Sequence, residues 1–435
     1  MPDSLTSPPN APPSTTTRRL PAVVWATAWV SYFTDFSTEL IYAILPAFYQ
    51  TVLHLGSVWL GVIEGFAEAI ASLSKLFSGH WSDRTGGRKW WMVCGYTLST
   101  LAKPLLATAG SAYAVMGLRG ADRVGKGLRG APRDALLAAY LIPEQRGMAF
   151  SVQRALDHAG ALTGSLCAFL LLKFGFIHLT GLFWLTLIPG AIAVLIIVLF
   201  IHDRPRKQDV RAVWQQVEAH AAADHTGLWA SLAQQSTAMK RYLAVLGVFA
   251  LGNSTDALLL ARAEDQMQAG GLSAADATAW LLLLWAWLHV TKSLSSPLGG
   301  WISDRVGRAL PVIIGWLIYA AVYVGFAFWS GLAAPWVLFG IYGLYYGMVE
   351  GTERALVTDL EANADRRGTA FGAYYFVTGI AALPASAMCG WLWWKYGHQA
   401  AFMTGAALAL LAALLLPWAL RPHLAERKKG KRPLC

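Results

Sequence analysis

From Phe176 to Ile201, and again from Ala400 to Leu420, the chain runs without one Asp, Glu, Lys or Arg. Crossing a bilayer core takes about 20 largely apolar residues per helix, because a helix satisfies its own backbone hydrogen bonds where no water is present. Both stretches meet that requirement, and nothing in a water-soluble domain calls for two of them. Further apolar blocks place spans at about 23–50, 57–80, 90–109, 112–138, 147–173, 176–201, 242–263, 277–300, 310–330, 334–358, 367–394 and 399–421. The expected fold class is all-α integral membrane, with 12 transmembrane helices in two six-helix bundles.

Charge supports this reading. Only 14% of the 435 residues are charged, against roughly 25% in an ordinary soluble protein. The net charge of +10 does not imply nucleic acid, since the basic residues sit in short segments between apolar blocks. Arg84, Arg88 and Lys89, then Arg146, Arg204, Arg206, Lys240 and Arg241, then Arg305, Arg308, Arg366 and Arg367 all fall in even-to-odd links. The odd-to-even links hold little beyond Lys173 and Lys395. Positive charge stays on the cytoplasmic side, so both termini are expected there, in a bacterial-type inner membrane. The expected organisation is a disordered cytoplasmic tail (1–21), an N-terminal bundle (22–201), a cytoplasmic linker (202–241), a C-terminal bundle (242–421) and a basic tail (422–435). The N-terminus lacks the short apolar core and small-residue cleavage site of a signal peptide. Cys94, Cys167 and Cys389 lie in apolar blocks without metal or redox spacing, and no prenylation box ends at Cys435. No metal or cofactor is expected.

The two halves repeat each other. Gly79-His-Trp-Ser82-Asp83-Arg84-Thr-Gly86 recurs as Gly300-Trp-Ile-Ser303-Asp304-Arg305-Val-Gly307, at an offset of 304 − 83 = 221. The same offset relates Arg133 to Arg354, Arg146-Gly147 to Arg367-Gly368, and Asp35 to Asp256. Parallel six-helix repeats related by a pseudo-two-fold form a known transporter plan, with the solute bound between them.

The motif Gly-x-x-Ser-Asp-Arg-x-Gly, followed by Arg88 and Lys89 or by Arg308, resembles the signature of the major facilitator superfamily (MFS) between its spans 2 and 3, with an echo between spans 8 and 9. The first copy carries an additional glycine, Gly87. In that family the loop latches the cytoplasmic gate, so the resemblance assigns Gly79, Asp83, Arg84, Arg88, Gly300, Asp304, Arg305 and Arg308 to gating. Plain topology anchoring by positive charge is the alternative. A glycine there lets two helices approach closely, and the Asp and Arg can pair with neighbouring helix ends. Arg119, with Gly125 six residues on, also resembles the family's span 4 motif, whose arginine is associated with proton coupling. The usual glycine four residues after that arginine is Arg123 here.

Span 4 is unusually charged. At about 100° per residue, Arg119, Asp122, Arg123, Lys126, Arg129, Arg133 and Asp134 share an arc of about 140°. Each charge would cost about 2.5–3.5 kcal/mol at the bilayer centre, so the arc must face protein or a watery cavity. Span 1 carries a matching stripe of Ser31, Asp35, Thr38, Glu39 and Tyr42, and span 2 adds Glu64, Glu68 and Lys75. Span 4 sums to +3 and spans 1 and 2 to −3, so internal ion pairing and a solute cavity are both open readings. At the repeat offset His289 replaces Glu68 and Glu350 replaces Arg129, so the two walls differ chemically. Arg154 is expected to pair with Asp157 or His158 one turn on, and Tyr374 and Tyr375 are candidate cavity residues.

The function expected is secondary active transport by alternating access, proton-coupled, of a small charged or zwitterionic organic solute. Proton-coupling candidates are Asp35, Glu39, Asp256 and Glu350. Solute-cavity candidates are Glu64, Glu68, Arg119, Asp122, Arg123, Lys126, His289 and Lys292. The expected partners are the solute, a coupling ion (H⁺) and the bilayer, with a monomer sufficient. No Gly-x4-Gly-Lys-Ser/Thr appears, which argues against ATP-driven transport. Nucleophile–base and metal-ligand spacings are also missing from the sequence, which argues against an enzyme. Two alternatives stand. A proton-antiport multidrug pump is weakened because Gly160-Ala-Leu-Thr-Gly164-Ser165 lacks the proline that exporters of the superfamily carry after the second glycine. A non-transporting solute sensor would tolerate loss of one gating loop, and both are kept.

Overall fold

The computed structural model describes residues 20–85, 88–140, 143–202, 235–361 and 367–428. Among them every regular element is helical, and the helices form twelve successive segments. The N-terminal half comprises α1 (Ala22–Glu39), α2 (Ser57–Thr85), α3 (Arg88–Leu105), α4 (Ala112–Ala139), α5 (Pro143–Lys173) and a sixth segment split into α6a (Leu179–Leu185) and α6b (Leu187–Phe200). The C-terminal half comprises α7a (Thr237–Gly252), α7b (Asp256–Ala269), α8 (Ala274–Val306), α9 (Ala309–Phe328), α10 (Ala333–Leu360), α11 (Arg367–Tyr396) and α12 (His398–Lys428).

Three segments differ from the continuous spans expected. Span 1 stops as an α-helix at Glu39 and continues through a 3-10 turn (Tyr42–Ile44) and a π-turn (Phe48–Val52). Span 6 breaks at Thr186, whose hydroxyl donates to Phe183 O at 2.6 Å. Span 7 starts at Thr237 rather than 242, because the Ser236 hydroxyl caps it by accepting from Met239 N at 3.1 Å. It then breaks at Asn253–Thr255. That break is tolerable at membrane depth because side chains meet the freed backbone groups. Tyr319 Oη donates to Gly252 O at 3.0 Å, and the Ser386 hydroxyl accepts from Thr255 N at 3.0 Å.

Seven of the described segments (α2, α5, α6, α7, α9, α11 and α12) are long and apolar enough to cross a membrane by composition alone. Their lipid-side residues are large and exposed, among them Leu195, Leu199, Phe328 and Leu414. The remaining five (α1, α3, α4, α8 and α10) are equally helical but carry the charges discussed below. Many of those charges are turned toward the interior, which lowers the hydropathy of these helices without exposing charge to lipid.

Helix pairing follows the repeat. In the N-terminal bundle α4 packs on α2 and α3, and α1 on α5 and α6b. In the C-terminal bundle α10 packs on α8 and α9, and α7a on α11 and α12. Between the bundles α2 lies along α11 and α5 along α8, a symmetric exchange. The α2–α11 seam is close enough to require glycine: a Cβ on Gly61 would stand 2.1 Å from Ser386 O. We call the end holding Ala22 and Lys428 the near end. The described contacts between bundles run from the far end, where Lys173 Nζ meets Asp276 Oδ1 at 2.5 Å and Ser57 Oγ donates to Gly390 O at 3.0 Å, to mid-depth, where Ser72 lies against Gly379.

Candidate functional site

The charged arc of α4 divides into two zones. At its far end Arg119 is 1% exposed and locked in place. Its Nε donates to Glu64 Oε1 at 2.9 Å, its Nη2 donates to Glu64 Oε2, and its Nη1 reaches Asp122 Oδ2 at 3.3 Å. Tyr49 Oη adds a bond to Glu64 Oε1 at 2.9 Å, and Ser99 Oγ one to Asp122 Oδ1 at 2.5 Å. Every heteroatom of the Glu64–Arg119 pair is engaged, which is the condition for a buried ion pair to be tolerated. Glu64 and Arg119, expected as solute-cavity residues, therefore lie outside the cavity lining. Their charge is spent on each other, tying α2 to α4.

Farther along, α4 opens onto a cavity of about 180 Å³ between the bundles. Its basic wall is Arg123, Lys126 and Arg129 on α4. Its acidic side is Asp35 and Glu39 on α1, with Asp157 on α5, and Arg154, His158, His289 and Lys292 complete it. A second compartment of about 170 Å³ adjoins it through Thr38, Glu39, Arg123 and Lys126, and adds Tyr42, Glu68 and Trp285. Of the cavity residues expected from sequence, Glu68, Asp122, Arg123, Lys126, His289 and Lys292 line one or other compartment.

Some of these charges are paired. Arg123 Nη1 sits 3.6 Å from Glu68 Oε1, and Lys292 Nζ 2.9 Å from Glu350 Oε2, with Arg354 Nη2 also on Glu350 at 3.3 Å. Others are not. Among the described residues no hydrogen bond or ion pair within 4.0 Å engages Asp35, Lys126, Arg154 or Asp157, and Asp157 Oδ1 is buried without a partner. The Arg154–Asp157 pairing expected from their one-turn spacing does not form, because Arg154 extends into the open cavity and is exposed.

Glu39 links the bundles. Trp285 Nε1 on α8 donates to its Oε2 at 2.6 Å, and His289 Nε2 stands 4.0 Å from its Oε1. The Tyr42 ring lies 4.9 Å from that of Trp285. Both ring nitrogens of His289 are buried without hydrogen bonds, and the His158 ring faces it at 6.4 Å from α5. On the C-terminal side Asp256 accepts from Tyr342 Oη at 2.7 Å and Tyr346 Oη at 2.9 Å, with no cation within 4.0 Å among the described residues. Glu353 is held similarly by Trp316 Nε1 at 3.1 Å and Tyr374 Oη at 2.7 Å. Asp35 and Asp256, equivalent by repeat, thus meet opposite surroundings: one lies open in the cavity, the other is capped by phenols.

Lys103 went unnoticed in the sequence. It is 2% exposed, and its Nζ donates to Ser37 Oγ at 3.2 Å and Thr38 Oγ1 at 2.9 Å, bracing α1 beside Glu39. By sequence alone its position next to Pro104, near the end of a span, reads as that of an ordinary interfacial lysine, which the structure corrects. Trp285, Tyr342 and Tyr346 were also missed, because an aromatic in a span normally signals packing. No group of three or more His, Cys, Asp or Glu is placed to hold a metal among the described residues.

The gating candidates are partly covered. The surroundings of Gly79 and the side chains of Asp83, Arg84 and Asp304 lie outside what the structure describes. Arg88 opens α3. Arg305 lies over the Trp301 ring at 4.0 Å, and Arg308 joins Ser303 Oγ at 2.9 Å to Asp359 Oδ2 at 3.7 Å, tying the end of α8 to α10. Gly307 closes α8 at φ +88, a left-handed conformation that suits glycine. Gly300 meets open space, and the close helix approach falls to Gly299, where a Cβ would stand 2.0 Å from Gly347 O.

The Major Facilitator Superfamily model matches residues 24–386 and, in a second overlapping match, residues 263–434. The chain belongs to the major facilitator superfamily. It is similar to an uncharacterized MFS-type transporter of Methanocaldococcus jannaschii, 29% identical over 400 residues that cover 92% of this chain and 95% of the relative. It is also similar to an uncharacterized protein of Mycobacterium tuberculosis, 31% identical over 364 residues, covering 83% and 84%. Among solved structures, the nucleoside transporter NupG superposes at TM-score 0.74 with 12% identity, covering 92% of this chain and 99% of that one. A POT family transporter in complex with 5-aminolevulinic acid superposes at 0.73 with 13% identity, covering 93% and 97%. At such identities the likeness is one of fold. This MFS chain is a multi-pass membrane protein with a transporter fold, and its family is one of transporters, not enzymes.

Proposed function

We propose that this protein is a proton-coupled secondary active transporter that moves a small charged or zwitterionic organic solute across the inner membrane by alternating access, with both termini cytoplasmic. The observation that carries the reading is Asp35: a carboxylate in a cavity between the two bundles, opposed by a basic wall and held by no partner within 4.0 Å among the described residues. A carboxylate in that position can exchange a proton or a solute cation without first breaking a structural bond. Glu39 is the second proton-linked group on this reading. Its bond to Trp285 crosses between the bundles, so a change in its charge reaches the contact that a transport cycle must break. Asp256 and Glu350 serve less directly, the first under two phenols and the second between Lys292 and Arg354.

The contacts that join the bundles at the far end and mid-depth are those of one state of an alternating cycle. A wall this polar suits an ionic solute better than a lipophilic drug, whose site would be mainly apolar. Reconstituted protein should show solute flux that rises with an imposed pH gradient. Asp35→Asn should lower that gradient-dependent flux by about 100-fold, within the range expected of a positioned proton-transfer group, while leaving the elution profile in detergent unchanged. Full coupling in the variant would remove Asp35 from the mechanism.

A further inference from the structure

Most of the open charges of the cavity are sorted by sign, acids on α1 and α5 against bases on α4, with the cation Arg154 on α5 the exception. Asp35 on α1 and Asp157 on α5 face Lys126 and Arg129 on α4 across about 180 Å³. Neighbouring pairs close, as Glu68 does with Arg123 at 3.6 Å, but these four do not close on one another within 4.0 Å. Arg129 sharpens the point. It is only 8% exposed, its guanidinium lies 4.5 Å over the Tyr96 ring, and its Nη1 has no hydrogen-bond partner while it lines the cavity. A buried guanidinium nitrogen on α4 and a buried carboxylate oxygen on α5, Asp157 Oδ1, left without hydrogen bonds are costly unless something polar reaches them.

Resting on the transporter reading above, we propose that the cavity binds a small zwitterion, with its ammonium group between Asp35 and Asp157 and its acid group on Lys126 and the Arg129 guanidinium. A solute of single charge satisfies one wall and leaves the other uncompensated. A zwitterion satisfies both at once, and its two ends must be spaced to match the gap. The compartment holds the equivalent of about six waters at ~30 Å³ each, room for a small amino acid, and the adjoining compartment of about 170 Å³ extends it past Lys126.

The test is a thermal-unfolding series on the purified full chain with glycine, β-alanine, 4-aminobutyrate, 5-aminopentanoate and alanylalanine, set against n-butylamine and butyrate. One or more of the zwitterions should raise the unfolding midpoint saturably, with neither singly charged analogue doing so at the same concentration. Lys126→Gln and Asp35→Asn should each weaken that binding by about tenfold or more, an effect the size of one charge-assisted contact, while Lys126→Arg retains it. Size-exclusion profiles matching wild type show that the variants are folded. Binding of the amine or the acid alone as tightly as the zwitterion overturns the proposal, as does a series in which no zwitterion binds or an unchanged affinity in Lys126→Gln. The transporter reading fails separately. Gradient-driven flux of a singly charged solute without zwitterion binding sinks only the zwitterion site, and zwitterion binding without flux of any solute sinks only the transporter.

Discussion

Arg119→Met should destabilise the protein by about 3–5 kcal/mol, the usual cost of removing one partner from a buried ion pair, and should lower the thermal midpoint and detergent yield accordingly. The reason lies in what stays behind. Glu64 is 1% exposed and would keep only the Tyr49 hydroxyl, while Asp122 would keep Ser99 and the 4.0 Å approach of Arg123. Either Glu64 takes up a proton or α2 and α4 separate. The double variant Arg119→Met/Glu64→Leu should recover a substantial part of the loss, since it removes the bare charge at Glu64 and leaves only Asp122 short of a close cation. A midpoint for Arg119→Met equal to wild type would mean that the pair carries no structural weight, and would return Arg119 to the solute path.

Gly61→Val should act on motion and leave each bundle folded. Gly61 lies on α2 where it meets α11, and a Cβ there would be 2.1 Å from Ser386 O and 2.9 Å from the Ser386 carbonyl carbon. Neither is the tip of a flexible side chain, so the seam itself must open. Because the seam joins bundles instead of helices within one bundle, the penalty falls on the far-end-closed state alone. In a background with Cys94, Cys167, Cys389 and Cys435 replaced, a reporter introduced as Ser57→Cys should react with a membrane-impermeant maleimide about tenfold faster when Gly61→Val is present. Tenfold corresponds to about 1.4 kcal/mol of shift between the two states. Equal labelling rates would show that the seam has slack to absorb the methyl groups.

The architecture was largely legible in sequence because its two causes are local: apolar length sets the spans, and basic residues mark the links. The 221-residue offset added the repeat, and the helix pairing observes it on both sides of the pseudo-two-fold. The breaks in spans 1, 6 and 7 were not legible. The span 7 break is met by the distant side chains of Ser386 at Thr255 and Tyr319 at Gly252, and the span 6 break by Ser37, whose hydroxyl donates to Thr186 O at 2.9 Å; no local pattern connects these residues to the breaks. Within the candidate site, the charge sum of +3 against −3 was right in kind but silent on partition. It could not tell that Arg119 is used up by Glu64 while Lys126, about two turns further along the same arc, is left open. That division depends on which helix lies opposite each turn of α4. Trp285 and Lys103 escaped for a related reason: their role comes from Glu39, Ser37 and Thr38, neighbours brought by the packing of α8 and α3 against α1.

Ser386 holds two structures at once. Its carbonyl oxygen rests against Gly61 at the seam between bundles, and its hydroxyl receives Thr255 N where α7 is interrupted. Asp256, the next residue, opens α7b under Tyr342 and Tyr346. A slide of α11 along α2 is thereby geared to the joint in α7, and through it to the carboxylate at the root of the C-terminal wall. The seam and the acid therefore share Ser386 as a common neighbour, and Ser386→Ala, which removes the hydroxyl that Thr255 N meets, should loosen the joint before Asp256 without touching the seam.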